Sequence, residues 1–274
     1  MNTFVFVLGV LAAFFSGILF GSTLFSNCAE VLKPPVLDPN TLNRVQSEEQ
    51  QVLFSREVVT TKQDCHNELH TAFNAMESRG ELPDMLNDLG LTGEGVEVGV
   101  RKGDFSKHIL SKWRGRKIHC VDPWEHQDEK LYKDISNRDQ THQDSLYDDL
   151  DIFMKENYPS RHELHRGYSV DKATEFPDNF FDFVYLDARH DYEGVKEDLN
   201  AWWGKLKVGG VFAGHDFVPD GNIKAGLFGV QKAVHEFAKT NKREFLSIST
   251  KDADGGRSEP QWVDGGWTTW YLIK

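Results

Sequence analysis

Residues 95–107 read GVEVGVRKGDFSK, and the fold is decided by how this stretch is read. Residues 96–100 make a short apolar strand that carries one acid, Glu97. Two glycines follow, Gly99 and Gly103, and a helix is expected from Asp104 or Phe105. A strand that turns through glycines into a helix start presents backbone N–H groups to a ligand, and the helix dipole favours negative charge there. The first glycine lets the chain turn, and the second lets a bulky ligand approach the backbone. The spacing is acid-x-Gly-x-x-x-Gly. The G-x-G-x-x-G fingerprint of a dinucleotide site is absent.

Downstream of this stretch, strand and helix patterns alternate, which implies an α/β domain with a doubly wound, mostly parallel sheet. After the first strand comes a helix over 104–113, then a second strand over 117–121 ending in Asp-Pro-Trp. Residues 126–157 are long, polar and acidic and should hold one or two helices. One of these, over 144–157, has an apolar stripe of Leu146, Leu150, Phe153 and Met154. A third strand is expected near 163–167 with a short helix over 170–175. Residues 181–186 form a continuous apolar run, hence a buried central strand, and 193–206 its helix. A fifth strand over 211–214, a helix over 227–239, and strands over 244–249 and 268–273 complete the pattern. The last two strands lie close in sequence with no helical period between them, which favours an antiparallel hairpin at the sheet edge.

Upstream, residues 3–25 carry no charge and are rich in Phe, Leu and Val. The run is long enough to span a bilayer and longer than a signal-peptide apolar region. Residues 1–29 are therefore read as a single-pass transmembrane anchor or uncleaved signal, with a cleaved signal as the alternative. Lys33 and Arg44 lean weakly toward a cytoplasmic catalytic part, and the compartment stays open. Residues 30–60 read as a linker or stalk, with Pro34, Pro35 and Pro39 at its start. Helical spacing recurs over 47–78, and a short helix is expected over 81–89. His66 and His70 share a helical face without the H-E-x-x-H pattern of a zinc helix, so they read as solvated. The domain itself is assigned to 61–274.

The net charge of −12 argues against general binding to a phosphate backbone, and no nucleic-acid partner is expected. Three cysteines at wide spacing, Cys28, Cys65 and Cys120, suggest neither a zinc site nor a disulfide framework.

In an open parallel sheet, ligands bind beyond the carboxyl ends of the strands. The residues to weigh are therefore those that end each strand. Asp122 falls about 20 residues past the glycine loop, where an acid accepts hydrogen bonds from ribose hydroxyls; alternatively it begins the Asp-Pro-Trp turn. Ser169 is placed either to contact an adenine or to cap the helix that follows. The densest polar groups are Asp187, Arg189, His190 and Asp191 after the fourth strand, and His215–Asp216 after the fifth. Asp187, His215 and Asp216 should meet at one sheet edge, where two carboxylates and an imidazole suit a divalent cation such as Mg²⁺. A helix cap at Asp187 and an ion pair at Asp216 are the alternative. Trp124, Tyr168, Trp202 and Trp203 are candidates to line an acceptor site, and 126–151 reads as a solvated helix placed to act as a lid.

The acid-x-Gly-x-x-x-Gly stretch resembles the first motif of class I S-adenosylmethionine (SAM) methyltransferases, with Arg101 where a middle glycine often stands. Residues 181–217, FDFVYLDARHDYEGVKEDLNAWWGKLKVGGVFAGHDF, and 229–237, GVQKAVHEF, are similar to the branch containing macrocin-type sugar O-methyltransferases and, more distantly, catechol-type enzymes. The resemblance covers about 91–274. It implies the seven-stranded methyltransferase fold with its C-terminal antiparallel hairpin. It also implies SAM held by Glu97, Gly99, Gly103, Asp122, Ser169 and Asp187, and His190 as general base for a hydroxylated small-molecule acceptor. Catechol-type enzymes carry lysine at the position of His190 and aspartate at that of His215. His190 is expected to be mostly neutral at pH 7. Two alternatives remain: a membrane-tethered binding protein of the same fold, and an NAD-dependent oxidoreductase, which lacks its expected fingerprint here.

Overall fold

This computed structural model describes Phe73, Met76 and residues 78–274, apart from 131, 133, 224, 244, 245 and 249–267. The expectations for the apolar span, the linker and the stalk helices fall outside the described residues. Among the described residues, no helix is long and apolar enough to cross a membrane. The fold and the site lie in one compact unit, Ala72–Asn87 with Leu91–Lys274.

In chain order the strands are β1 (Glu94–Val98), β2 (Lys117–Asp122), β3 (His162–Arg166), β4 (Phe181–Leu186), β5 (Leu206–Gly214), β6 (Gly221–Ile223), β7 (Gly226–Phe228), β8 (Leu246–Ile248) and β9 (Thr269–Ile273). The helices are α1 (Leu82–Asp88), α2 (Asp104–Lys112), α3 (Gln140–Asn157), α4 (Ser169–Ala173), α5 (Tyr192–Trp203) and α6 (Val230–Thr240), and a 3₁₀ turn covers Arg79–Glu81. The main sheet has seven strands in the order β3-β2-β1-β4-β5-β9-β8. β3, β2, β1, β4 and β5 run parallel, while β9 is antiparallel to both β5 and β8. The closing hairpin edge expected from the sequence is therefore present.

Strand alternation divides the core between two faces. Val96, Val98, Val184, Leu186 and Phe212 point to the face covered by α4, α5 and α6, where they meet Val195, Leu199, Trp202, Val234 and Phe237. Glu97, Phe183 and Tyr185 point the other way, toward α2. There Phe105 lies 4.4 Å from the Tyr185 ring, and Trp113 packs edge-on to Phe183 at 5.0 Å. Gly95 is a glycine for this reason: a Cβ there would overlap the Phe183 ring.

Three sequence expectations are corrected. The first strand starts at Glu94, and its apolar continuation at Val100 belongs to the turn after it. Residues 226–228 do not begin a helix. They pair with Gly221–Ile223 as a two-stranded ribbon, and the helix starts only at Val230. The described residues of 126–139 lie in no helix, and one helix follows them, capped by Asp139 accepting from the His142 N–H. That loop docks on the ribbon, since Asp134 bridges to Gly226 and the Ile135 N–H donates to the Ala225 carbonyl at 3.3 Å. Within α3, only Leu150 and Met154 of the expected stripe are fully buried.

Candidate active site

Parallel register brings four strand ends together, with Val98 beside both Val121 and Leu186, and Leu186 beside Gly214. Beyond them opens a cavity of about 670 Å³ lined by residues that include Glu97, Gly99, Asp122, Ser169, Asp187 and Asp216. This volume falls in the range of small-molecule sites.

The first wall is the turn after β1. Gly99 has φ +86° and Gly103, at the start of α2, φ +72°. Arg101 adopts φ +54°, a glycine-like conformation that a side chain enters at a cost of about 1–2 kcal/mol. Asp122 offsets that cost. Its Oδ2 accepts from the N–H groups of Val100 and Arg101, both at 2.8 Å, and its Oδ1 from Trp124 N–H at 2.7 Å. Asp122 thus organises the turn, as one of its two sequence readings has it, and it also lines the cavity. Its carboxyl is raised by burial, against the three N–H donors.

Glu97 is 2% exposed and accepts from the Ser106 hydroxyl. Burial pushes its carboxyl up to about 8, with Asp187 adding to the effect. Ser169 lines the cavity, but its hydroxyl is already engaged: it donates to buried Asp198 and accepts from Trp202 Nε1 at 2.9 Å. Ser169 is the first residue of α4, and no side chain caps that helix. Of the aromatic candidates, only Tyr168 lines the cavity. Trp124 and Trp202 are fully buried, and Trp203 packs on Phe212 and Phe237.

The second wall is built around His190. Its Nδ1 is 3.0 Å from Asp134 Oδ2, and its Nε2 is 2.8 Å from Asp216 Oδ2 and 3.9 Å from Asp187 Oδ1. The ring stacks on Phe228 of the ribbon at 4.8 Å, nearly parallel. The Nε2–Asp216 contact has an ion pair's distance without a hydrogen bond's direction, so the charge interaction carries it. Burial opposes charge on the ring, but the three carboxylates outweigh it and raise its pKa well above the ordinary value. The expectation of a mostly neutral His190 at pH 7 is therefore corrected. Asp216 itself sits at φ +57° and is held far below the usual carboxylate range by His190 and His215, despite its burial.

The expected trio of Asp187, His215 and Asp216 also changes. The donor atoms that converge within 4.8 Å belong to Asp187, His190 and Asp216. His215 stands beside them, with Nδ1 3.2 Å from Asp216 Oδ1 and 3.9 Å from Asp187 Oδ1.

Two participants lie beyond the residues singled out in the sequence. Asp134 comes from the loop read as a solvated helix, and its apolar neighbours gave no periodic signal. Arg79, from the 3₁₀ turn, places Nη1 3.1 Å from Asp187 Oδ2 and 3.3 Å from the Tyr185 hydroxyl, with its guanidinium over Phe105.

Residues 96–217 match the family described as a methyltransferase domain. Every residue expected in the site lies inside the matched segment, whereas Arg79 and Phe228 lie outside it. No curated protein sequence matches the chain. Similar solved structures include Burkholderia thailandensis 1,6-didemethyltoxoflavin-N1-methyltransferase with bound 1,6-didemethyltoxoflavin and S-adenosylhomocysteine. It is 12% identical, covers 88% of this chain and 92% of its own, and has a TM-score of 0.46. Precorrin-6y C5,15-methyltransferase from Geobacter metallireducens is 13% identical over 71% and 88%, with a TM-score of 0.45. Spermidine synthase from Thermotoga maritima is 14% identical over 72% and 60%, with a TM-score of 0.45.

Proposed function

We propose that the chain is a SAM-dependent methyltransferase that methylates a hydroxyl of a small molecule, a sugar or a phenol, and that residues 3–25 anchor it to a membrane. One observation carries the reading. The turn of Glu97 and Gly99, braced by Asp122, opens into the same cavity as the Asp187–His190–Asp216 cluster, while Gly103 starts the next helix beside Leu150 and does not line it. A donor site and an acid–base site thus adjoin.

SAM supplies a methyl group on a cationic sulfur. An acceptor oxygen takes that carbon, the C–S electron pair stays on sulfur, and the hydroxyl proton must leave. Gly99 would let the methionine part approach the backbone, and Asp122 would accept from the ribose. Neutral His190 takes the proton at Nε2, with Asp134 fixing the ring through Nδ1. Because its pKa is raised, His190 is a stronger base that is less available at neutral pH. The same donors fit a divalent cation once His190 is neutral. Asp187, His190 and Asp216 would hold the ion, which would orient the hydroxyl and lower its pKa. The ion would occupy the nitrogen that the base uses, so the two roles are alternatives at this cluster.

The test is thermal unfolding of the full-length chain in detergent with SAM, S-adenosylhomocysteine or NAD, with and without Mg²⁺. A ligand at 100 times its dissociation constant adds about 2.7 kcal/mol. Stabilisation by both SAM-type ligands and not NAD is expected. A response to NAD alone supports the oxidoreductase, and no response to any of them overturns the catalytic reading in favour of a tethered binding protein. A gain from Mg²⁺ that Asp216→Asn abolishes assigns the ion to the cluster.

A further inference from the structure

A second group of metal-donor side chains lies on β2 and β3, and the cavity lining does not include it. His119 is opposite Glu163 in the β2–β3 register, and His165 is two residues beyond Glu163. Residues paired in register, or two apart on a strand, share a face, so all three donors stand on one side of the sheet. His119 Nδ1 is 2.9 Å from His165 Nε2, and Glu163 Oε1 is 3.9 Å from the same His165 nitrogen.

We propose that His119, His165 and Glu163 form a transition-metal site of the Zn²⁺ class, with Glu94 as the carboxylate that orients His119. The far nitrogen of His119, Nε2, lies 3.1 Å from Glu94 Oε2. A proton there leaves Nδ1 as the lone pair that faces His165. This carboxylate–histidine arrangement is the one that fixes ring and tautomer at metal sites. Lys117 holds Glu163 Oε2 at 2.9 Å and leaves Oε1 for the ion. Phe176, Phe180 and Phe181 pack around His119 and make the dry side of the site. The Glu163 side chain, 49% exposed, makes the entry side. Ligand nitrogens about 2.0–2.1 Å from a tetrahedral Zn²⁺ are about 3.3 Å apart. The two imidazoles, 2.9 Å apart, therefore need to part by about 0.4 Å, and Glu163 Oε1, 3.9 Å from His165, to close by about 0.6 Å, within the reach of side-chain rotation. Softer imidazole donors select Zn²⁺, Co²⁺ or Cu²⁺ over Mg²⁺, and two protein nitrogens with one carboxylate leave a fourth position for water.

The probe is Co²⁺ added to the full-length chain in detergent, read by the visible absorption of low-coordinate Co²⁺ and by its loss on Zn²⁺ competition. The wild type is expected to show the band, Asp216→Asn to keep it, and His165→Gln to lose it with an unchanged circular dichroism spectrum. Glu94→Gln should weaken Co²⁺ affinity about 10–100-fold. A wild type without the band overturns the proposal and leaves a plain histidine–histidine hydrogen bond. A band that survives His165→Gln, or that disappears in Asp216→Asn, also overturns it by placing the ion elsewhere. The SAM-type ligand response is read separately, so failure here leaves the methyltransferase proposal standing, and the reverse holds.

Discussion

Replacing Gly99 by alanine should injure the site far more than the same change at Gly103, although both glycines have positive φ. Each alanine pays the left-handed penalty of about 1–2 kcal/mol. The surroundings then separate them. A Cβ on Gly99 would overlap the carbonyl of Asp187 and the Cα of Ala188, which are backbone atoms just past the end of β4. They cannot yield unless β1 and β4 part at their carboxyl ends, and the Asp187 N–H to Val98 carbonyl bond at 2.7 Å resists that. Overpacking against such a wall adds about 1–3 kcal/mol. A Cβ on Gly103 would instead meet the methyl groups of Leu150, the far end of a side chain rather than backbone.

The expected destabilisation is therefore about 2–5 kcal/mol for Gly99→Ala and about 1–2 kcal/mol for Gly103→Ala. For a domain of this size, each kcal/mol moves Tm by about 2–4 °C. Urea unfolding of the full-length chain, followed by tryptophan fluorescence, measures both variants, and S-adenosylhomocysteine titration reads the site. Gly99→Ala should lose binding along with stability, because any relief of the overlap moves Asp187. Equal urea midpoints for the two variants would refute the argument, as would wild-type affinity in Gly99→Ala.

Two further outcomes follow from titrating groups. Glu97 has its carboxyl pushed up to about 8 by burial. Between about pH 4.5 and 8 the native chain holds a proton that the unfolded chain has released, so stability falls as pH rises through that window. The fall is at most about 5 kcal/mol, and Glu97→Gln, which mimics the protonated form, should flatten it; unchanged slopes in urea midpoints at pH 5 and pH 8 would refute this. At His190 the raised pKa predicts a methylation rate that climbs with pH to a limb well above 6.5. Asp216→Asn removes one of the charges that hold the proton and should move that limb to lower pH; a limb at the same pH in both proteins would remove His190 as the base.

How much was legible follows from how local each signal is. Alternating apolar runs and glycine turns are local, so the five parallel strands, their helices and the closing hairpin could be read from the chain. The strand-end rule then named the polar residues that line the cavity. The ribbon of Gly221–Ile223 with Gly226–Phe228 was not legible, because three-residue strands are too short to carry a period. Arg79 and Asp134 were not legible either, since they meet Asp187 and His190 across 108 and 56 residues of sequence.

What the sequence determined by itself is thus the sheet and the edge of it where the cavity opens, because backbone hydrogen bonding and side-chain period set these residue by residue. What only the tertiary structure decided is the charge state of that edge. The pKa of His190 depends on three carboxylates delivered by a loop and two strand ends, and Coulomb interactions depend on distance in space rather than along the chain.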